Sequence, residues 1–219
     1  MPGKDAKTYN NYHALIVINA KEHCKKKPLC PVVRYMILVG DVDMAIRNLT
    51  NWNDPKFRKR SRPVEQYDER LWTLLDDMRD TLVKVNGYGC AAIHVGVLRR
   101  AAVILDKDGV IELLNPEITE ASIETQNVLE GSIAPDSPRG YVTRSKNITV
   151  AAFDRNGKPI TISGEDFLAA TFCHEIDHLD GIMFIDKVHP GKAGAAQAAG
   201  HPASFAKQNE RANKTDDNS

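Results

Sequence analysis

The run Thr171-Phe-Cys-His-Glu-Ile-Asp-His-Leu-Asp-Gly181 constrains this chain more than any other stretch. It contains His174-Glu175-x-x-His178, two imidazoles four residues apart with a carboxylate beside the first. On a helix such residues share a face, so both rings reach one metal ion. Glu175 then sits where it takes a proton from water at that ion. Ser163 is placed to cap the helix, with Asp166 three residues on, and Gly181 is placed to stop it. Steps of about 100° gather Phe167, Leu168, Thr171, Phe172, His174, Glu175, Ile176, His178 and Leu179 into one arc. Asp166, Ala170, Cys173, Asp177 and Asp180 fall opposite. Glu175 thus lies in an apolar stripe, where lost solvation raises its pKa unless a cation offsets it. A buried helix whose histidines are merely hydrogen-bonded is the competing reading.

Charge and length narrow the classes. The 219 residues carry 29 Lys and Arg against 29 Asp and Glu, so no global field draws the chain to nucleic acid or membrane. A hydrophobic share of 42% is enough for a proper core. The four cysteines (Cys24, Cys30, Cys90 and Cys173) form no C-x-x-C pair and read as reduced, intracellular thiols. The apolar run Ala14 to Ile18 is too short for a signal-peptide core, and no segment has the length of a membrane span. A soluble, cytoplasmic protein is expected.

Residues 1–43 hold two short strand-like runs, Ala14 to Ile18 and Val32 to Val39, with no pattern to bury them. They read as a peripheral extension, or as sequence ahead of a true start at Met44. Residues 44–190 read as the functional domain, and 191–219, Ala/Gly-rich and then polar, as a disordered tail. Leu71, Leu74, Leu75, Met78, Leu82 and Val85 predict an amphipathic helix, with Asp76, Asp77, Arg79 and Asp80 outside. Gly87-Tyr-Gly-Cys-Ala-Ala-Ile-His-Val-Gly96 lets the backbone approach something closely, and no helix pattern follows it. Strands are expected at Ala101 to Leu105 and Val110 to Leu114, with a turn at Lys107 to Gly109 between them. Ser122 to Leu129 alternates weakly, Glu130 to Gly140 is irregular, and Ile148 to Phe153 with Ile160 to Ile162 reads as a hairpin. The fold class is α+β: antiparallel strands packed around a central buried helix that carries the H-E-x-x-H run.

Three stretches in order resemble the peptide deformylase family, whose motifs are G-x-G-x-A-A-x-Q, E-G-C-L-S and H-E-x-x-H. Here they stand as Gly87 to His94, Glu130-Gly-Ser-Ile-Ala134 and His174 to His178. The likeness runs from about Met44 to Val188 and includes Asn115-Pro-Glu117 and Leu179-Asp-Gly181. It implies removal of the formyl group from the N-terminal methionine of nascent polypeptides, with the ribosome as a further partner. It also implies a divalent metal, Fe²⁺ with Zn²⁺, Ni²⁺ or Co²⁺ able to substitute. His174 and His178 match the metal ligands, Glu175 the proton-transfer residue, and Ile133 the residue whose backbone N–H steadies the oxyanion. Gly89, in the first motif, falls on the substrate side.

Two departures stand out. The family's third ligand is the Cys of its second motif, and here that position is Ser132, a weaker donor. The family's oxyanion Gln is replaced by His94, and Ala134 replaces a terminal Ser. Either His94 supplies a compensating imidazole to the metal, or the site has decayed. A decayed protein would bind formyl-methionyl peptides or a ribosomal partner without turnover. A general zinc peptidase is a third reading.

Overall fold

The structure is a computed structural model that describes residues 45–106 and 109–188. Its contacts divide the chain into two units. One comprises Met44–Asp106 and Val110–Ser219, and it holds the elements below. The other, Met1–Asp43 with Lys107–Gly109, is outside the described residues apart from Gly109. The expectations for residues 1–43, for the Lys107 turn and for the tail from 191 therefore lie outside them as well.

Helix α1 spans Glu69–Lys84, and the Asp68 carboxylate caps it by accepting from Leu71 N–H at 3.1 Å. Leu71, Leu74, Leu75, Met78 and Leu82 are buried as their spacing predicts. Two details differ. Val83 replaces Val85 in the stripe, because the helix stops at Lys84 and Val85 is only its C-cap. Asp80 is buried rather than outside, with the Arg79 Nε donating to it at 3.0 Å.

Seven strands follow: β1 Gly89–Ala91, β2 Ala101–Asp106, β3 Gly109–Ala121, β4 Thr125–Glu130, β5 Gly140–Ser145, β6 Asn147–Phe153 and β7 Pro159–Glu165. Five form one sheet in the order β1-β2-β3-β6-β7, and β4 pairs with β5 in a second. The β6–β7 hairpin is the one the sequence predicts. Its turn closes on Asp154, whose carboxylate accepts from Asn156 and Lys158 N–H groups at 2.9 Å. Strand β5 has no strong alternation in sequence, and it is held by its full register against β4 from Thr125↔Ser145 to Glu130↔Gly140.

Helix α2, Asp166–Leu179, packs against strands of both sheets. This enclosure buries Ala170 and Cys173, on the side away from the histidines, as well as the apolar arc. Ser163 is not its cap. The β6–β7 ladder continues to Asn147↔Glu165, so Ser163 is a strand residue opposite Thr149, and Glu165 is the N-cap without a side-chain bond. Gly181 does end the helix, at φ 76°. Ile182 N–H bonds Asp177 C=O at 2.9 Å and Gly181 N–H bonds His178 C=O at 3.2 Å, the paired closure of a Schellman end.

A two-stranded ribbon is marginal alone, so β4–β5 needs an anchor. Arg144 of β5 supplies it. Its guanidinium donates to both oxygens of Glu130 at 2.7 and 2.9 Å and to Asp177 of α2 at 2.6 Å. Burial alone would raise the Glu130 carboxyl, but hydrogen bonds from Arg144 and then His174 hold it down at about 2. Because the folded value is depressed from 4.5, this stabilisation is complete above that pH and is lost as pH falls toward 2. Acid titration of unfolding free energy should show that loss, and a flat profile across the window contradicts it. Arg144→Leu should cost about 3–5 kcal/mol in urea unfolding at neutral pH, since the buried Glu130 loses its cation, while Asp177 keeps Lys187.

Candidate active site

The glycine-rich stretch forms β1 and one 3₁₀ turn, Ala92–Val95, and the group it approaches is Glu175. A Cβ at Gly89 would stand 2.2 Å from Glu175 Oε1, so only glycine lets the strand lie this close. The Ala91 N–H then donates to Glu175 Oε2 at 2.8 Å. Burial pushes the Glu175 carboxyl up, and the His174 charge and the Ala91 N–H pull it partly back, leaving it at about 7. That is the raised carboxyl expected of a glutamate in an apolar stripe.

His174 and His178 meet as their spacing predicts, with Nε2 atoms 3.1 Å apart. Nitrogens bound at roughly 2.0–2.1 Å to one tetrahedral ion lie about 3.3 Å apart, so the pair has close to the separation a single metal demands. On its other side His174 Nδ1 is 2.8 Å from Glu130 Oε2. With Glu130 ionised, Nδ1 is the donor, which leaves Nε2 as the nitrogen that faces His178. His178 is held by rings instead, edge-on to Trp52 at 6.2 Å and tilted against Phe57 at 5.4 Å. Its Nδ1 has no hydrogen-bond partner among the described residues.

The second motif is a loop after β4. Ser132 N–H donates to Ser137 Oγ at 3.0 Å, and Ala134 N–H donates to Ser132 Oγ at 3.2 Å. Ser132 Oγ is also 2.8 Å from His94 Nε2. His94 is fully buried, its Nδ1 3.1 Å from Ala91 O and its ring edge-on to Phe57 at 5.4 Å and His178 at 4.7 Å. Burial and then the nearby His174 charge lower it to about 3, so the ring is neutral. The Ile133 N–H has no hydrogen-bond partner among the described residues.

The residues present fit a metal through the two facing imidazoles and the carboxylate behind one of them. The third donor is the weak point. Among the described residues, no three His, Cys, Asp or Glu side chains form a metal-holding group. Cys90 and Cys173 are free, and burial raises both thiols, so neither replaces the missing thiolate.

Sequence reasoning did not assign Glu130, Arg144, Trp52 or Phe57 a role. Glu130 carried a usable signal, since an acid heading a motif that turns inward needs a cation. The other three come from segments that show only a turn or weak alternation, and they reach the site through tertiary packing.

Residues 46–193 match the family model described as polypeptide deformylase. A peptide deformylase of Caldicellulosiruptor bescii is 47% identical over 145 residues, which is 66% of this chain and 87% of that one. The crystal structure of peptide deformylase from Thermotoga maritima aligns with a TM-score of 0.64 at 33% identity, over 66% of this chain and 99% of that one. The Acinetobacter baumannii class I type b peptide deformylase, solved with Met-Ala-Ser bound, aligns with a TM-score of 0.62 at 26% identity, over 66% of this chain and all of that one. With its three motifs gathered at one buried site, the chain belongs to the polypeptide deformylase family.

Proposed function

We propose that this member is a metal-dependent hydrolase that removes the N-formyl group from the N-terminal methionine of nascent polypeptides, at a reduced rate. The observation that carries the reading is Glu175: buried, held by the Ala91 N–H, and bracketed by two facing imidazoles. His174 and His178 would hold the ion, Fe²⁺ or in its place Zn²⁺, Ni²⁺ or Co²⁺, with Ser132 at the position of the family's third ligand and His94 beside it. When bound, the ion supplies Lewis acidity to water and to the formyl oxygen.

Glu175 takes the proton from water and delivers it to the leaving amine. A carboxyl near 7 suits both directions at neutral pH. The unpartnered Ile133 N–H is the oxyanion donor. Gly89 keeps Glu175 against the strand and borders the substrate through its backbone. His94 stands at the position of the family's second oxyanion donor, yet both its nitrogens are engaged by Ala91 and Ser132. Losing one such donor costs about two to three orders of magnitude in turnover, which is the reason to expect a slow enzyme. The Met-Ala-Ser bound to the Acinetobacter relative is what a deformylated N-terminus would look like, and it supports a peptide substrate here. A substrate of this kind would suit a cytoplasmic protein that works near the ribosome supplying such chains. No described helix is long and apolar enough to cross a membrane.

The engagement of His94 also favours a second reading, a non-catalytic protein that binds formyl-methionyl peptides. Anaerobically purified protein separates the two. The enzyme reading expects bound metal and turnover of a formyl-Met peptide, with no cleavage inside unformylated peptides. Protein without metal and without turnover after addition of Fe²⁺, Ni²⁺ or Zn²⁺ overturns it. Internal cleavage would point to a zinc peptidase instead. Glu175→Gln should lower kcat by about 10²–10⁴-fold while metal content stays the same. Ser132→Cys should raise both metal affinity and turnover, because a thiolate replaces a neutral hydroxyl.

A further inference from the structure

The stretches that carry the first and second motifs are tied together by a short segment outside both, residues 50–52. The Thr50 N–H donates to His94 C=O at 2.7 Å, and the Thr50 hydroxyl donates to Ile93 C=O at 3.0 Å. The Trp52 N–H donates to Pro135 C=O at 3.0 Å. Between them, the Asn51 side-chain amide donates to Asp136 Oδ2 at 2.7 Å. We propose that Asn51 and Asp136 are positioning residues, a clasp that sets where the second-motif loop lies against the first motif. This rests on the deformylase reading above and names residues outside the three motifs on which that reaction depends.

Both ends of the segment are anchored. Thr50 is fixed to the 3₁₀ turn Ala92–Val95 by backbone and hydroxyl together. Trp52 is buried, with its ring centroid 6.0 Å from Phe57 and 5.2 Å from Phe184. Asn51 stands exposed between these anchors and reaches across to the loop.

The loop takes a costly conformation where Asn51 grips it. Asp136 lies at φ 65°, in the left-handed region that a residue with a Cβ enters only at a price in strain. Strain of this kind persists where the surroundings over-determine the backbone. Here Trp52 holds the carbonyl of the preceding residue and Asn51 holds the Asp136 carboxylate. The turn brings Ser137 back toward the motif, where its Oγ accepts from the Ser132 N–H at 3.0 Å. On its other side the loop rests on the first motif with no room to spare. A Cβ at Gly87 would stand 2.6 Å from Ile133 Cγ2. The grip on Asp136 is thereby passed to Ser132 and Ile133. An exposed hydrogen bond competes with water and adds little to overall stability, so the clasp acts on placement more than on folding.

Steady-state kinetics on a formyl-Met peptide, with the full chain, test this. Asn51→Ala and Asp136→Ala should each lower kcat by about 10–100-fold with KM little changed, the scale on which shifts of about 1 Å slow a reaction. The double variant should be no slower than the slower single one. Asp136→Asn keeps an acceptor and tolerates the left-handed backbone, so it should recover most of the kcat lost in Asp136→Ala. Asp136→Gly relieves the backbone but removes the carboxylate, so its urea midpoint should hold or rise while kcat falls. In Asn51→Ala, amide hydrogen exchange should quicken at residues 132–137 and stay unchanged in α1. Unchanged kcat in either alanine variant overturns the proposal, as does an Asp136→Gly protein with wild-type kcat. Losses that multiply in the double variant show that the two residues do not act as a pair and overturn it too. Wild-type protein without turnover overturns the deformylase reading instead. Loop exchange then decides the clasp alone, and unchanged exchange in Asn51→Ala removes it.

Discussion

The rest of the structure depends on one buried chain of charge, Arg144 to Glu130 to His174. It is at once a fold contact and a site contact. Arg144 joins the β4–β5 ribbon to α2 through Asp177, and the same guanidinium keeps Glu130 ionised. An ionised Glu130 then makes Nδ1 of His174 the donor and turns Nε2 toward His178. Burying a carboxylate this deeply would be costly without the cation, and the cation would be equally costly without the two acids. The ribbon, the helix and the orientation of one imidazole are therefore secured together.

A second constraint is the closeness of β1 to α2. Gly89 removes the side chain that would collide with Glu175, and Ala91 turns its N–H onto the carboxylate. The glutamate is thus held by a single backbone donor in a dry setting. That is enough to orient it and too little to keep its pKa at the ordinary carboxylate value. Poise between charged and neutral forms is a consequence of this packing, and proton transfer in both directions needs that poise.

Around these fixed parts the site has changed at two touching positions. Ser132 and His94 engage each other, and the segment from Thr50 to Phe57 closes over them with Phe57 against both His94 and His178. The neutral pair replaces an anionic donor and a side-chain amide in the family's pattern. In the proposed reading, weak metal binding and slow turnover share one cause, a hydroxyl where a thiolate would carry charge.

Helix α1, the β6–β7 hairpin and the H-E-x-x-H face of α2 were legible in the chain, because each rests on periodicity or turn chemistry within about 20 residues. The order of the three motifs was legible for the same reason, being a property of local residue patterns. Strand β5 and the cap of α2 were not, since one depends on a partner strand and the other on how far the β6–β7 ladder runs. Nor were the roles of Glu130, Arg144 and Phe57, whose partners lie 14 to 121 residues away, as the pairs Arg144–Glu130 and Phe57–His178 show. Sequence by itself determined which groups could do chemistry: two imidazoles, a carboxylate, and a serine where a cysteine was expected. Only the tertiary structure decided what each group touches, and so its tautomer and charge, because burial and contact with distant residues set both.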